Sequence, residues 1–356
     1  MKIETTLNQI PSLTWNWLKM NRGELKLETS LADEIKAEIT GISEQISYEY
    51  KSSIDIPTME EGLGKETDFI FNTKSEILYI SSKENSKNNT PVILKYELKN
   101  DSSVVSKQVI HAKKNSEITV IIISTSENNT TGFEAISTKL FAEENAKINL
   151  IKVQLLGNNF THLDSTSSVC KENANTTLTH IILGGKETFV GVKGDLVEYK
   201  SNFNSSLTYL CQNEQKLDMN YVVNHYGKKS ECKMSVKGTL KDSSQKTYRG
   251  TIDFKNGCSG AIGDEQEDTL LLSPTVVNKS LPVILCDEED VSGEHGATIG
   301  RLSEEVLFYM KSRGIAKNVA ENIIARAKIQ SVVSLIPDEQ TVELIQKYMD
   351  GVFGDE

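Results

Sequence analysis

One motif recurs four times at near-constant spacing, and it sets the tightest limit on what this chain can fold into. KKNSEITVI (113–121), EENAKINLI (143–151), KENANTTLT (171–179) and KSNFNSSLT (200–208) share a plan: polar residues with an asparagine, a small turn, then an apolar strand. The aligned asparagines Asn115, Asn145, Asn173 and Asn202 lie 30, 28 and 29 residues apart. A period of about 20–50 residues marks stacked repeats, each too small to bury its own apolar face and each covered by its neighbour. The unit is β-like and helix formers at helical spacing are scarce, so the expected architecture is mainly β, a parallel β-helix. Antiparallel hairpins are the alternative that the same strands allow.

The flanking sequence divides the chain into three parts. Residues 1–90 are mixed, with Trp15, Trp17 and Leu18 in a short helical start and a polar loop or linker at 81–89. Residues 91–298 carry the β core, with strand-like runs at 92–98, 118–124, 148–156, 178–183, 207–210, 232–240 and 248–254. Residues 299–356 switch to a helical period. Segment 303–313 ends at Gly314, a natural residue for the left-handed position after a helix. Segments 318–336 and 338–349 follow, the last with Val342, Ile345 and Met349 on one stripe. Three short amphipathic helices cannot cover themselves, so they pack on the β core or offer a face to a partner.

Charge narrows the function. The chain has 50 Asp+Glu against 39 Lys+Arg, a formal charge of −11, and only five of the bases are arginine. Nucleic-acid binding relies on clustered Lys/Arg and on the arginine fork, so this balance argues against it. No run approaches the roughly 20 apolar residues of a membrane-spanning helix. The first residues, MKIETTLNQIPSLTWNWLKMN, lack the apolar core of a signal peptide, which points to the cytoplasm. In that reducing setting the five cysteines, scattered and without a C-x-x-C, read as free and mostly buried thiols.

Searches for catalytic motifs return little. Gly184-Gly185-Lys186-Glu187 lacks the first glycine and the Ser/Thr of a phosphate-binding loop, so no bound nucleotide is expected. His111, His162 and His180 read as satisfied structural residues. The exception is LPVILCDEEDVSGEHGATIGRL (281–302), where Cys286, four acids, Glu294 and His295 fall within ten positions. Thiol, imidazole and carboxylate form the donor set of an iron or zinc site. Gly293 and Gly296 would allow a tight turn presenting His295. The competing reading is an acidic loop leading into the helices.

Here the sequence resembles the SufB/SufD family, the scaffold subunits of the SUF iron–sulfur cluster assembly machinery. The residues that carry the resemblance are Arg249-Gly250-Thr251-Ile252, Leu270-Leu271-Leu272-Ser273, Glu289-Asp290-Val291, the run His295 to Arg301 (HGATIGR) and the run Phe308 to Ile315 (FYMKSRGI). The match is continuous over about residues 220–320. It implies a right-handed parallel β-helix, pairing of B-type with D-type subunits, and C-terminal helices that dock a SufC-type ATPase, whose ATP-driven dimerisation would open the paired interface. It also implies a non-catalytic chain that holds a transient iron–sulfur cluster, or iron, at the subunit interface.

The B-type Gln-Cys-Asp is matched by Gln266-Glu267-Asp268, and the B-type His-Glu-Ala-Thr by His295-Gly296-Ala297-Thr298; both differences indicate a D-type subunit. Glu294 is B-like. The D-type Leu-Glu-Ile strand is replaced by Val283-Ile284-Leu285-Cys286, and Cys286 reads as a small buried residue more readily than as a ligand. The implied metal ligands are His295 first, then Glu294, Glu267 and Cys286, with a SufB partner's thiolates completing the site near residues 255–295. The alternatives are a homodimeric scaffold of the same family or a β-helix enzyme acting on polysaccharide.

Overall fold

A computed structural model describes residues 2–12, 16–29 and 35–354. The chain winds into a β-solenoid in which each coil gives one strand to each of two facing sheets. Among the described residues each sheet has nine strands. The first sheet contains Val92–Leu98, Glu117–Ser126, Lys147–Leu155, Asn175–Ile182, Asn202–Cys211, Glu231–Leu240, Ala261–Leu271 and Val291–Gly300. The second contains Ile77–Ser82, Ser102–Ala112, Thr131–Ala142, Asn159–Cys170, Glu187–Leu196, Lys216–His225, Gln245–Phe254 and Val277–Cys286. These strands pair in parallel with those of neighbouring coils in the same sheet. At the N-terminal end, Glu38–Thr40 and Ile46–Lys51 close the two sheets by antiparallel pairing. The sheets therefore reach well before residue 91.

The period arises at the corners. Asn115, Asn145 and Asn173 have φ of 55°, 57° and 53°, the left-handed region that asparagine tolerates better than other residues with a Cβ. Their side chains stack from coil to coil: Asn115 Nδ2 donates to Asn85 Oδ1 at 2.8 Å, and Asn145 Nδ2 to Asn115 Oδ1 at 2.9 Å. The segment 81–89 is thus one more corner rather than a linker, with Asn85 at φ 52°. In the fourth copy Lys200 (φ 55°) holds the corner, and Asn202 pairs with Asn175 inside the strands. The expected alignment was off by two residues there, because the corner's backbone conformation, not the asparagine, is what repeats. Trp15 falls outside the described residues, and Trp17 and Leu18 lie in the 3-10 turn Asn16–Leu18.

Inward side chains of the two sheets meet in a narrow lumen. Much of it is aliphatic, for example Ile118, Val120, Leu150, Leu178, Leu207 and Val236. Its middle holds a buried polar chain instead. Lys152 Nζ donates to Asp164 Oδ1 at 2.5 Å and to Thr138 and Thr166 at 3.2 Å. His162 Nδ1 lies 2.8 Å from Glu134, and His180 bridges Asp164 at 3.3 Å and the Tyr221 hydroxyl at 3.1 Å. Burial alone would lower His162, but Asp164 and Glu134 outweigh it and raise it to about 9. Burial opposes the charge on Asp164 too, yet Lys152 and the two histidines hold it well below the carboxylate range. Burial keeps His180 lowered and therefore neutral. Two anions thus face two cations. The reading of His162 and His180 as satisfied structural residues fits these contacts.

Both outer sheet faces are covered. A hairpin of Lys2–Leu7 with Gly23–Glu28 and the short helix α1 (Asp68–Phe71) lay Ile3, Leu7, Leu25, Ile70 and Phe71 on Val105, Phe133 and Leu163 of the second sheet. Arg249, buried in that sheet, clamps the hairpin region: it donates to both Asp218 oxygens at 2.7 and 3.1 Å and to the Met20 carbonyl at 2.5 Å. On the first sheet, α3 (Lys317–Val333) and α4 (Glu339–Phe353) bury Ile329, Val332, Ile345 and Met349 against Ile121, Ile151, Val153 and Ile181. Each such side chain contributes about 1.5–3 kcal/mol. The preceding helix α2 (Glu304–Ser312) buries none of its residues. Its N-cap is Ser303, and Gly314 follows it at φ 82°, as its position in the sequence predicts.

Two outcomes follow for the lumen. Asp164→Asn strands the Lys152 charge and should cost about 3–5 kcal/mol in urea unfolding; an unchanged midpoint would show that the charge chain carries no net stability. His162 gains its proton affinity on folding, so its contribution is complete below its ordinary value of 6.5 and is lost as pH rises through about 9. The unfolding midpoint should therefore drop across that alkaline range, and His162→Gln should flatten the drop.

Candidate functional site

A parallel stack satisfies its backbone groups only through neighbouring coils, so its last coil leaves one side of each strand unpaired. Here that coil is Val277–Cys286 and Val291–Gly300, each the terminal strand of its sheet. Val291–Gly300 is mostly exposed, and no described element lies across either outer edge. The notable stretch 281–302 is therefore a strand, a four-residue acidic turn (287–290) and a second strand, rather than a loop entering the helices.

His295 sits in the middle of Val291–Gly300, not in a tight turn as the flanking glycines suggested. Those glycines answer crowding instead. A Cβ on Gly293 would lie 2.9 Å from the Phe254 ring, and one on Gly296 would lie 2.5 Å from Gln266 Oε1. His295 is exposed and in register with Glu265 of the previous coil. Side chains alternate along a strand, so His295 belongs to the lumen-facing set at the open mouth, whereas Glu294, in register with Asp264, belongs to the outer set.

Glu267 is buried and committed. Lys246, equally buried, donates to its Oε1, and Thr269 and Ser280 hydroxyls donate to the same oxygen at 2.9 and 3.0 Å. Its register partner in the last coil is Ala297. The carboxylate at the position of the B-type cysteine therefore closes a structural ion pair.

Cys286 differs from its expected place. Cys170, Cys211, Cys232 and Cys258 are buried, but Cys286 is exposed. It ends a strand of the last coil, in register with Phe254, and no further coil covers it. Its thiol donates to the Glu288 carbonyl at 3.0 Å. Burial pushes the Cys211 and Cys232 thiols up to about 12, so those are inert. His225, whose Nε2 lies 3.2 Å from the Cys232 thiol, is held down at about 4 by burial and stays neutral.

Sequence reasoning passed over Glu265. Its side chain is 2% exposed, and burial raises it to about 7. The Tyr248 hydroxyl beside it works against that rise through a side-chain hydrogen bond. The signal was available in the alternation of Gly263-Asp264-Glu265-Gln266-Glu267: odd positions face the lumen, so two carboxylates, not one, look inward near the mouth. Among the described residues no three His, Cys, Asp or Glu side chains come together as a metal-holding group. His295, Glu265 and Cys286 all lie at the open end, whereas Glu294 and Glu267 are turned outward or ion-paired.

Comparison with known proteins agrees with this architecture. Residues 96–328 match the family model described as SUF system FeS cluster assembly, SufBD core domain. The chain is 32% identical over 138 residues to the iron–sulfur cluster assembly protein SufD of Bacillus subtilis, covering 38% of this chain and 32% of that one. It is 28% identical over 208 residues to SufB of the same organism, covering 57% and 44%. It is 27% identical over 258 residues to SufD of Plasmodium berghei, covering 68% and 19%. The match spans less than half the length of each of these three relatives. No helix is long and apolar enough to cross a membrane among the described residues. With the core-domain match spanning most of the solenoid and the D-type motifs at Glu267 and Gly296 in place, the chain belongs to the SufBD family of SUF iron–sulfur cluster assembly proteins, on its SufD side.

Proposed function

We propose that this chain is a non-catalytic, cytoplasmic scaffold subunit that pairs with a SufB-type subunit through the open end of its solenoid and docks a SufC-type ATPase through its C-terminal helices. The observation that carries the reading is the uncapped last coil. Two parallel edge strands, Val277–Cys286 and Val291–Gly300, offer rows of backbone donors and acceptors that a second solenoid could continue. The N-terminal end, closed by antiparallel strands, offers no equivalent parallel edge. The nascent cluster is cargo. His295 would supply an imidazole to iron at that junction, and the partner's thiolates would complete the coordination. Cys286 ends the other strand of the same coil, and its exposure fits a ligand better than a packing role.

Helix α2 supports the docking half. Phe308 is 74% and Tyr309 59% exposed, two neighbouring aromatic side chains that are left largely uncovered. Aromatic anchors of this kind dominate protein interfaces. Nucleotide hydrolysis then belongs to the partner, in keeping with a chain that has no phosphate-binding loop. A polysaccharide-active enzyme would need an open sheet face as its groove, and here the hairpin with α1 and the helices α3 and α4 occupy those faces.

Co-expression of the chain with SufB-type and SufC-type proteins should yield a complex that co-purifies. Ile299→Asp, a charge on an exposed residue of the last strand, should abolish recovery of the SufB-type subunit while leaving the fold intact by circular dichroism. Phe308→Ala with Tyr309→Ala should weaken ATPase binding by about 2 kcal/mol or more, read by calorimetry. His295→Ala should retain both partners and lower iron and sulfide in the purified complex. Pairing of Ile299→Asp at wild-type strength would reject the open end as the interface.

A further inference from the structure

We propose that Asn256-Gly257 is a self-modifying site: the Gly257 backbone nitrogen attacks the Asn256 side-chain amide, with the Glu288 carboxylate of the next corner as proton acceptor. The site does not depend on the pairing or docking reading above.

The corner that carries it is unlike its neighbours. The register places seven residues, 255–261, between Phe254 and Ile262, against five, 226–230, between His225 and Glu231 and five, 287–291, between Cys286 and Ser292. The longer corner leaves Asn256 and Gly257 exposed. Asn256 is the one asparagine of the chain that precedes a glycine, so no Cβ hinders the attacking nitrogen. Gly257 has φ 98°, and a Cβ built on it would meet nothing within 4 Å, which leaves room for a five-membered ring.

What the following amide donates to separates this corner from the asparagine ladder. After Asn115 and Asn145, the N–H groups of Ser116 and Ala146 donate to the carbonyls of Lys113 and Glu143 at 3.1 and 3.0 Å, and a carbonyl takes up no proton there. The two carboxamides are also tied to each other at 2.9 Å. The Gly257 N–H instead donates to Glu288 Oε2 at 3.0 Å, and the Glu289 N–H fixes the other oxygen at 3.1 Å. A carboxylate already bonded to the proton that must leave is placed as a general base. Asn256 itself is held only by a 3.5 Å bond from its Nδ2 to the Asp287 carbonyl. In the step, the Gly257 N–Cγ bond of a succinimide forms, the Cγ–Nδ2 bond breaks, and ammonia leaves with the proton that Glu288 took. Solvent water then opens the ring to aspartate or isoaspartate.

Either product sets a new carboxylate beside Asp287 and Glu288, and isoaspartate also lengthens the corner's backbone. The contacts at stake tie the last turn to the corner below: Ser259 donates to Asp290 Oδ2 and the Gly260 N–H to the Asp290 carbonyl, both at 2.6 Å. The reaction therefore loosens the uncapped coil as the protein ages.

The test is incubation of the full folded chain at neutral pH, followed by peptide mapping with mass spectrometry and by isoaspartate labelling with a protein isoaspartyl methyltransferase. Asn256 should convert while Asn115 and Asn145 keep their amides. Glu288→Gln retains an acceptor oxygen but not the base, and should slow the conversion by at least about threefold. A merely structural role for Glu288 would give the opposite sign, because a loosened corner reacts faster. Asn256→Gln should remove the labelling at this corner. Converted protein should exchange the amide hydrogens of 287–300 faster than fresh protein does. A retained Asn256 amide in the folded wild type, or conversion of Glu288→Gln at an equal or greater rate, would overturn the assignment; unchanged exchange would overturn the loosening.

Discussion

Each coil of this protein depends on its neighbours for backbone hydrogen bonds. A strand in a parallel sheet pairs only with strands from other coils, so no coil is stable alone and the stack propagates from one to the next. Two consequences shape the molecule. Corners must repeat in backbone conformation, which accounts for the asparagine ladder through Asn85, Asn115 and Asn145 and for Lys200 in the same left-handed geometry where asparagine is absent. The stack must also end somewhere, and the two ends are treated differently: antiparallel strands close the first, while the last coil stays open.

That asymmetry concentrates the chemistry. The exposed thiol among the five and the exposed histidine both belong to the last coil. Elsewhere the ionisable groups of the lumen are matched internally, as in the Lys152–Asp164 and His162–Glu134 pairs, and the thiols of Cys211 and Cys232 are raised by burial beyond reactivity. Matched charges hold the interior in a single arrangement, and the exposed donor groups are confined to the uncapped end.

Legibility in the sequence followed the same division. Six of the seven strand-like runs picked out from 92 to 254 belong to the first sheet, whose strands are aliphatic on both faces because α3 and α4 cover the outside. The second sheet was largely invisible. Asn159–Cys170, with Asn, His, Asp and five Ser/Thr, is a buried strand that reads as a polar loop. Its polar side chains point into the hydrogen-bonded lumen or toward the loop that supplies Glu60 and Glu61, where Ser165 donates to Glu61 Oε2 at 2.6 Å. Periodicity counts apolar residues, so it cannot register a strand whose burial is satisfied by partners distant in sequence.

The chain's sequence determined the repeat, the helical tail with its stop at Gly314, and the motifs that place it in the SufBD family, because these rest on local backbone preference and on short linked runs. Only the tertiary structure decided which side chains share the open mouth. Cys286 changed from buried to exposed, Glu267 became half of an ion pair with Lys246, and Glu265 emerged beneath His295. In a solenoid the neighbours of a residue lie a full coil, about 30 positions, away along the chain. Whether a donor is free therefore depends on the register between coils and on where the stack ends, and neither is written within one repeat.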